Sequence, residues 1–234
     1  MILSLLIVRS LTDYNPLQFN ETGTRNDRQD PRVDKRTILC YNYIMINIKT
    51  TIKEVVIPQL SLTQVEKGLD QRGYASALEK QFIKISKDNF DDCKEASSVK
   101  STDDITINDI LVDFKSTDVD KKFKMPNLIS IAVLKNKYYS EKILYSFVTY
   151  SSKQNKVLDS HLLYIWELPW KHLEIQNLGK GQLQIKNMKN FIDDIDNLST
   201  LSKDEWYQEF IKKGKIFYKD LIKKTEKRME EWVC

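Results

Sequence analysis

The sequence predicts an α/β domain that closes with a long helix. An apolar stripe at helical spacing runs through residues 75 to about 87. Two short alternating segments follow, joined by Asn108-Asp109, and this pattern is typical of a tight β-hairpin. Further strand patterns lead to residues 204 to about 232, which again show helical periodicity. Helix and strand patterns that alternate in this way favour an α/β fold.

The first 44 residues differ in character from the rest of the chain. Residues 9 to 36 are dominated by polar and charged side chains of both signs, with Pro16 and Pro31 as breakers. We therefore expect a poorly ordered N-terminal extension over residues 1–44 and one domain over residues 45–234. The second methionine, Met45, is a candidate start of the functional protein. The chain, 234 residues in all, is long enough to bury one sizeable core.

Composition narrows the possible function classes. The net charge of +4 permits an anionic partner without requiring one. Three cysteines without a CxxC pair, and only His161 and His172 as histidines, argue against a zinc site or a histidine-based triad. The thiols fit a reducing cytoplasm. We expect no membrane span, because the chain lacks an 18-residue apolar run. We also expect no secretory signal, because the apolar residues 1–8 have no basic region before them and no small-residue cleavage site after them.

The N-terminal half of the domain should be largely helical. We expect one helix from residue 46 to about 67, interrupted by Pro58. A loop over residues 68–74 follows, in which Arg72 is available to bind phosphate. The next helix should cover residues 75 to about 87 and lead into the hairpin.

The C-terminal half should contain further strands and the long helix. Pro126 occupies a favoured first-turn position, so it is expected to open a helix. Residues 128–134 would make that helix apolar nearly all round, and therefore buried. Ser202 and Glu205 form a capping box at the start of the terminal helix, whose many lysines are typical of a solvated face. Strands are expected at residues 143–150, 161–168 and 182–186.

The hairpin also carries acidic and basic side chains. Asp103 and Asp104 open its first strand, and Asp113-x-Lys115 lies in the second. Because strand side chains alternate, Asp113 and Lys115 point to one side and Phe114 to the other. Magnesium takes oxygen ligands and keeps several waters, so two carboxylates and substrate phosphate oxygens suffice, and a nearby lysine can orient the attacking water. The pattern indicates metal-assisted phosphodiester cleavage, although in a chain that is 30% charged it also arises without function.

Three sequence blocks extend this motif. The first runs from Arg72-Gly73-Tyr74 to Glu79-Lys80, the second from Asp104 to Thr117, and the third is Met125-Pro126-Asn127-Leu128-Ile129-Ser130. In order and spacing they resemble type II restriction endonucleases of the HincII kind, which belong to the PD-(D/E)xK nuclease superfamily. A weaker fourth block is the helix start at Asp204-Glu205-Trp206. The resemblance covers roughly residues 70 to 232.

The resemblance implies a fold and a set of catalytic roles. The fold would be a restriction-endonuclease-like central mixed sheet flanked by helices. Asp104 and Asp113 would hold Mg²⁺, with the Phe114 carbonyl as a further ligand. Lys115 would act on the attacking water, and Glu79 would be a supporting acid. The turn between the two acids is shorter than in that family, so Asp103 could replace Asp104.

The resemblance also implies a DNA-binding surface. Asn127 would reach base edges, which suits the bidentate pairing of an asparagine with adenine. Its alternative role is a hydrogen bond at the helix start. The loop of Arg72, Gly73 and Tyr74, together with Lys124, would contact DNA. Lys124 stands where that family has a small or amide residue, so the target sequence does not carry over.

The sequence therefore predicts a Mg²⁺-dependent type II site-specific deoxyribonuclease that cuts double-stranded DNA. We expect a cytoplasmic homodimer, because one site cuts one strand and a two-fold pair of sites matches a palindromic target. Two alternatives remain open. One is a repair or mismatch nuclease of the same superfamily, and the other is a non-catalytic DNA-binding module.

Overall fold

The computed structural model describes residues 44–66, 69–96, 103–121, 126–136, 142–176, 181–198 and 201–232. These residues all belong to one compact unit, Tyr41–Cys234. The expected N-terminal extension, residues 1–44, lies outside the described residues except for its last residue. Within the described ranges, no helix has the length and apolar character needed to cross a membrane.

A mixed five-stranded sheet forms the centre of the unit. Its order is β1-β2-β3-β5-β6, with β3 and β5 parallel and the other neighbours antiparallel. A separate antiparallel sheet has the order β4-β8-β7. The strands are β1 Cys93–Glu95, β2 Ile105–Ile107, β3 Ile110–Asp118, β4 Asn127–Ser130, β5 Ile143–Ser151, β6 Lys156–Tyr164, β7 Leu173–Gln176 and β8 Gln182–Ile185.

Helices pack on both faces of the central sheet. The first, α1, covers residues 44–51 and continues through a π-helical turn, Ile52–Val56, and a 3₁₀ turn, Ile57–Gln59. The others are α2 Gln71–Asn89, α3 Ile131–Leu134, α4 Met188–Asp193 and α5 Lys203–Glu231. The mixed α/β architecture and the long C-terminal helix agree with the predicted fold class.

Two hydrophobic clusters lie on opposite faces of the central sheet. The side chains of Val112 and Phe114 on β3 pack with Phe82 of α2 and the buried residues of α1. Tyr145 and Phe147 on β5 face the other way, toward α4, α5 and the smaller sheet. Strand β5 is buried along its whole length, because both of its faces are covered. The strand adjacent to it, β3, is therefore held between two layers of packed helices and strands.

The hairpin is confirmed where the sequence predicts it. Strands β2 and β3 are joined by Asn108 and Asp109, whose φ values are 46° and 66°. Positive φ at both central residues is the geometry of a type I′ turn, which matches the twist of the paired strands. The predicted helix over residues 75–87, the strands at 143–150 and 182–186, and the terminal helix with its capping box are also observed.

Two predicted elements are wrong. Residues 71–74 are not a loop, because α2 begins at Gln71 and the Asp70 side chain accepts the Gly73 N–H at 2.8 Å. Pro126 does not open a helix: residues 127–130 form β4, and only Ile131–Leu134 are helical. Leu128 and Ile129 are both buried in the smaller sheet, so an apolar run with no clear period gave the wrong element type.

Further differences concern three strands and the end of the first helix. The strand expected at residues 161–168 begins earlier, at Lys156, and gives way to a 3₁₀ turn, Ile165–Glu167. Strands β1, Cys93–Glu95, and β7, Leu173–Gln176, were not predicted. The helix expected from residue 46 to about 67 ends at Gln59, just after Pro58, and one more 3₁₀ turn, Leu62–Gln64, follows.

Candidate active site

Asp103 and Asp104 directly precede β2, and they lie where the pairing of β2 with β3 stops. Strand β2 pairs with β3 only over Ile110–Val112, whereas β3 pairs with β5 from Leu111 to Asp118. Among the described residues, backbone-to-backbone hydrogen bonding on this side of β3 stops with the bond from the Asp104 N–H to the Val112 carbonyl, at 3.0 Å. From Asp113 onwards, β3 extends past its paired segment and is no longer paired with β2.

Asp104 is fixed at this edge by the backbone of β3. Its Oδ2 accepts the Phe114 N–H at 2.6 Å, and its carboxylate also reaches the carboxyl group of Asp113. The carboxylate of Asp103 instead accepts a hydrogen bond from the Thr106 hydroxyl at 2.9 Å. Of the two acids that the sequence left open, Asp104 is the one that the structure brings against Asp113.

Asp113 and Lys115 share one face of β3, as the strand alternation predicts. Lys115 Nζ donates to Asp113 Oδ1 at 2.5 Å. The side chain of Asp113 is 6% exposed and that of Lys115 is 26% exposed. Between them, Phe114 points to the opposite face and its ring lies 4.9 Å from that of Phe82. A buried carboxylate and a partly accessible ammonium are thus held on a rigid strand.

Burial makes ionised Asp113 unfavourable. Desolvation is the main cause that raises the pKa of its carboxyl group to about 8, and the nearby charge of Asp104 adds to it. Lys115 acts in the opposite direction, because its ammonium favours the carboxylate. A divalent cation beside the two carboxylates would remove the repulsion between them.

Glu79 lies within the electrostatic reach of this pair. It is half-buried on α2, and burial followed by the charge of Asp104 raises its pKa, whereas Lys115 and then Lys80 lower it. Of the four residues that the sequence predicts as catalytic, the structure brings Asp104, Asp113 and Lys115 together, and the fourth, Glu79, lies within electrostatic reach of Asp104 and Lys115.

The Phe114 carbonyl points toward the same edge. The Val112 carbonyl and the Phe114 N–H both bond to Asp104, so both residues present their backbone groups on the β2 side. In a strand, the N–H and C=O of one residue point to the same side, which directs the Phe114 carbonyl past the end of β2.

The oxygen atoms of Asp104, Asp113 and the Phe114 carbonyl are the candidate ligands for Mg²⁺. Among the described residues, no group of three or more His, Cys, Asp or Glu side chains is arranged to hold a metal. Asp104, Asp113 and the Phe114 carbonyl nevertheless fit Mg²⁺, because this ion takes one or two carboxylates and fills the rest of its octahedral shell with water and phosphate oxygens.

The residues predicted to contact DNA are distributed over two elements. Arg72, Gly73 and Tyr74 lie in the first turns of α2, where Arg72 is exposed. Tyr74 is half-buried with its ring 6.2 Å from that of Tyr150, and Lys121 Nζ lies 5.6 Å from the Tyr74 ring.

Asn127 lies on β4 of the smaller sheet, where its side-chain oxygen accepts a hydrogen bond from the Gln184 amide. It is therefore not a residue at a helix start. Lys124 falls outside the described residues.

One residue of the site was not predicted from the sequence. Tyr145 is the register partner of Asp113 on β5, and its fully buried hydroxyl has no hydrogen-bond partner among the described residues. Burial, and secondarily the charge of Asp113, raise the pKa of this hydroxyl. The parallel register of β3 and β5 brings the two residues together, and a single sequence carries no signal for that register.

Comparisons with known proteins do not assign this chain to a family. No protein-family model matches it, and no curated protein sequence matches it significantly.

Proposed function

We propose that this protein is a Mg²⁺-dependent type II restriction endonuclease of the PD-(D/E)xK superfamily. It would hydrolyse phosphodiester bonds of duplex DNA and leave 5′-phosphate and 3′-hydroxyl ends. The observation that supports this best is the cluster at the end of β2, in which Asp104, Asp113 and Lys115 meet beside the Phe114 carbonyl.

Each side chain of the cluster has a chemical task in this proposal. Asp104 and Asp113 would hold the metal, and their orientation is fixed by the Phe114 N–H and by Lys115 respectively. When bound, Mg²⁺ supplies polarisation of the phosphoryl oxygen and a lower pKa for a coordinated water. Lys115, still partly accessible, would orient the attacking water and stabilise charge on the phosphoryl group.

Glu79 has a supporting task. Its raised pKa, caused by burial and by Asp104, makes its carboxyl group more basic than that of an exposed glutamate. It would accept a hydrogen bond from water at the site.

The surface of α2 supports a nucleic-acid substrate. Arg72, Lys80 and Lys84 are all exposed and lie within a third of the helix circumference. Glu79 lies about 20° from Arg72 around the helix axis, because seven residues separate them, so this basic face borders the cluster. Phosphate neutralisation by such side chains supplies most of the sequence-independent affinity for DNA. Base reading by Asn127 stays a prediction, and it would require Asn127 to exchange its hydrogen bond with Gln184 for one with a base.

Cleavage of supercoiled plasmid DNA tests the proposal. The protein should linearise a plasmid that contains its target when Mg²⁺ is present, and EDTA should abolish the reaction. Asp113→Ala and Asp104→Ala should lose cleavage but keep DNA binding, because each removes a metal ligand and not a phosphate contact. Asp103→Ala is the matched control, one residue away, and should cut at nearly the rate of the unmodified chain.

Three results would contradict the proposal. Activity that survives in EDTA would exclude the metal assignment. Equal losses in Asp103→Ala and Asp104→Ala would remove the distinction drawn between these acids. Binding without any cleavage on a library of target sequences would favour the non-catalytic module, and scattered single-strand nicks would favour a repair nuclease.

A further inference from the structure

The second half of α5 exposes a regular apolar stripe. Its large members, Tyr218, Ile222, Met229 and Trp232, are between 42% and 89% exposed. Together with Thr225 they are spaced by four, three, four and three residues, which is the a/d repeat of a helix that pairs with another helix. The Thr225 hydroxyl donates to the Leu221 carbonyl of its own helix at 2.8 Å, so its polar group is already satisfied. We call these five residues the terminal seam.

The terminal seam lies C-terminal to the residues of α5 that pack in its own hydrophobic cluster. Trp206 and Phe210 are buried, and Phe217 is partly buried in the same cluster. At 100° per residue, these three residues lie roughly a quarter of a turn from the seam, whereas Tyr207 and Ile211 of the same cluster lie on its side. The seam therefore continues a stripe that is packed in the first half of α5 into a part where its large side chains are exposed. Large exposed apolar side chains in regular register are typical of an interaction surface.

The charged side chains beside the seam change from basic to acidic along the helix. On one flank, Lys212 precedes the stripe and Lys219 lies at its start, whereas Glu226 and Glu230 lie in its later part. All four are exposed or partly exposed to solvent, and the other flank carries Leu221 and Arg228.

This charge pattern selects one orientation for a second helix. In a parallel pair, opposite flanks meet, so Lys219 would face Gly214 and Glu226 would face Leu221, which gives no ion pair. In an antiparallel pair like flanks meet, and Lys219 of each copy would face Glu226 of the other. The same alignment places Ile222 against Thr225 and Met229 against Tyr218. From Tyr218 to Met229 the stripe is thus complementary to itself, as a two-fold interface requires, and Trp232 would lie beside Lys215 of the other copy.

We propose that the terminal seam is a self-association surface on which a second copy of this chain packs its own α5 in antiparallel orientation. The terminal seam would form the interface of the homodimer that is expected of an enzyme that cuts both strands. The association itself does not depend on the metal site, so it can be measured on the Asp113→Ala chain without any catalysis.

Sedimentation equilibrium of the full chain, with circular dichroism to check folding, tests this surface. The unmodified chain should be a dimer. Ile222→Glu with Met229→Glu should make it a monomer, and folding should persist because both positions are exposed. Lys219→Glu and Glu226→Lys should each weaken the dimer roughly 10- to 30-fold, because two symmetric attractions become repulsions. The combined exchange, Lys219→Glu with Glu226→Lys, should restore it.

Lys227→Glu is the matched control, because it makes the same charge change on the side of α5 opposite the seam. It should leave the dimer unchanged. The proposal fails if the unmodified chain is monomeric with and without duplex DNA, if Lys219→Glu and Lys227→Glu weaken the dimer equally, or if the exchange does not restore it. A chain that stays monomeric while these variants lose DNA affinity would show a phosphate-binding surface instead. A dimer that does not cut DNA would support the seam and contradict the proposed function.

Discussion

Replacing Asp113 with asparagine should stabilise the metal-free protein while it abolishes cleavage. In the folded chain, burial first and Asp104 second raise the pKa of the Asp113 carboxyl group from 3.8 to about 8. In the unfolded chain, the group returns to its ordinary value. Between these two pKa values, the unfolded state releases a proton that the folded state keeps, so the free energy of unfolding falls as the pH rises.

The size of the effect follows from this difference. Each pH unit between the two pKa values costs about 1.4 kcal/mol, which gives an upper limit of roughly 5 kcal/mol at pH 8. Asparagine does not ionise, and its amide can donate to the Asp104 carboxylate. It loses the ion pair with Lys115, whose side chain is 26% exposed and can turn to water. We therefore expect Asp113→Asn to be more stable at pH 8 by about 2–3 kcal/mol, and by close to zero at pH 4.

Urea denaturation in EDTA from pH 4 to pH 8.5 measures this difference. The gap between Asp113→Asn and the unmodified chain should widen steadily with pH and level off above pH 8. Added Mg²⁺ should raise the stability of the unmodified chain and leave the variant unchanged, because only the carboxylate pair binds the ion. Asp103→Asn is the control and should show no such widening. A variant that is less stable than the unmodified chain at pH 8, or a gap that does not depend on pH, would refute the reasoning.

The remaining predictions concern catalysis and packing. Lys115→Ala should reduce the single-turnover cleavage rate by about 10²- to 10⁴-fold, and Lys115→Arg should not restore it fully, because guanidinium differs in shape and cannot readily release a proton. Full activity of the arginine variant would leave only a structural or simple electrostatic role. Gly181→Ala should lower the free energy of unfolding by about 2–4 kcal/mol, because its φ is +95° and the new Cβ would lie 2.7 Å from Ile131 and 2.8 Å from Phe217. Gly214→Ala lies inside α5 with open space around the new Cβ, so it should stabilise the chain by about 0.5–1 kcal/mol. Equal effects of the two glycine variants in thermal unfolding would contradict the close packing described around Gly181.

The hairpin and its acids could be predicted because their signals are local. The Asn108-Asp109 turn requires positive φ at both positions, and these residue types tolerate it. Alternation along a strand then places Asp113 and Lys115 on one face without knowledge of any neighbour. The choice between Asp103 and Asp104 was not local, because it depends on which carboxylate meets the Phe114 N–H across the strand pair.

The errors arose where tertiary context decides. Residues 68–74 were expected to be a loop, but the cap from Asp70 starts α2 at Gln71. Pro126 suggested a helix start, but pairing with β8 makes the next residues a strand. The position of Tyr145 beside Asp113 depends on the parallel register of β3 and β5, which joins segments that are far apart in the chain.

The way the hairpin is connected also bears on the order of folding events. Asp104 and Asp113 are joined through a tight turn, and hairpins of this kind form in roughly 1–10 μs. The pairing of β3 with β5 must first close the chain between Asp118 and Ile143, and such parallel pairing is slower because the entropy of loop closure comes first. The folding chain should therefore bring its two acids together early, while water still surrounds them. Desolvation of Asp113 comes only when β5 docks, so we expect its energetic cost to appear late in folding, in the same step that completes the central sheet.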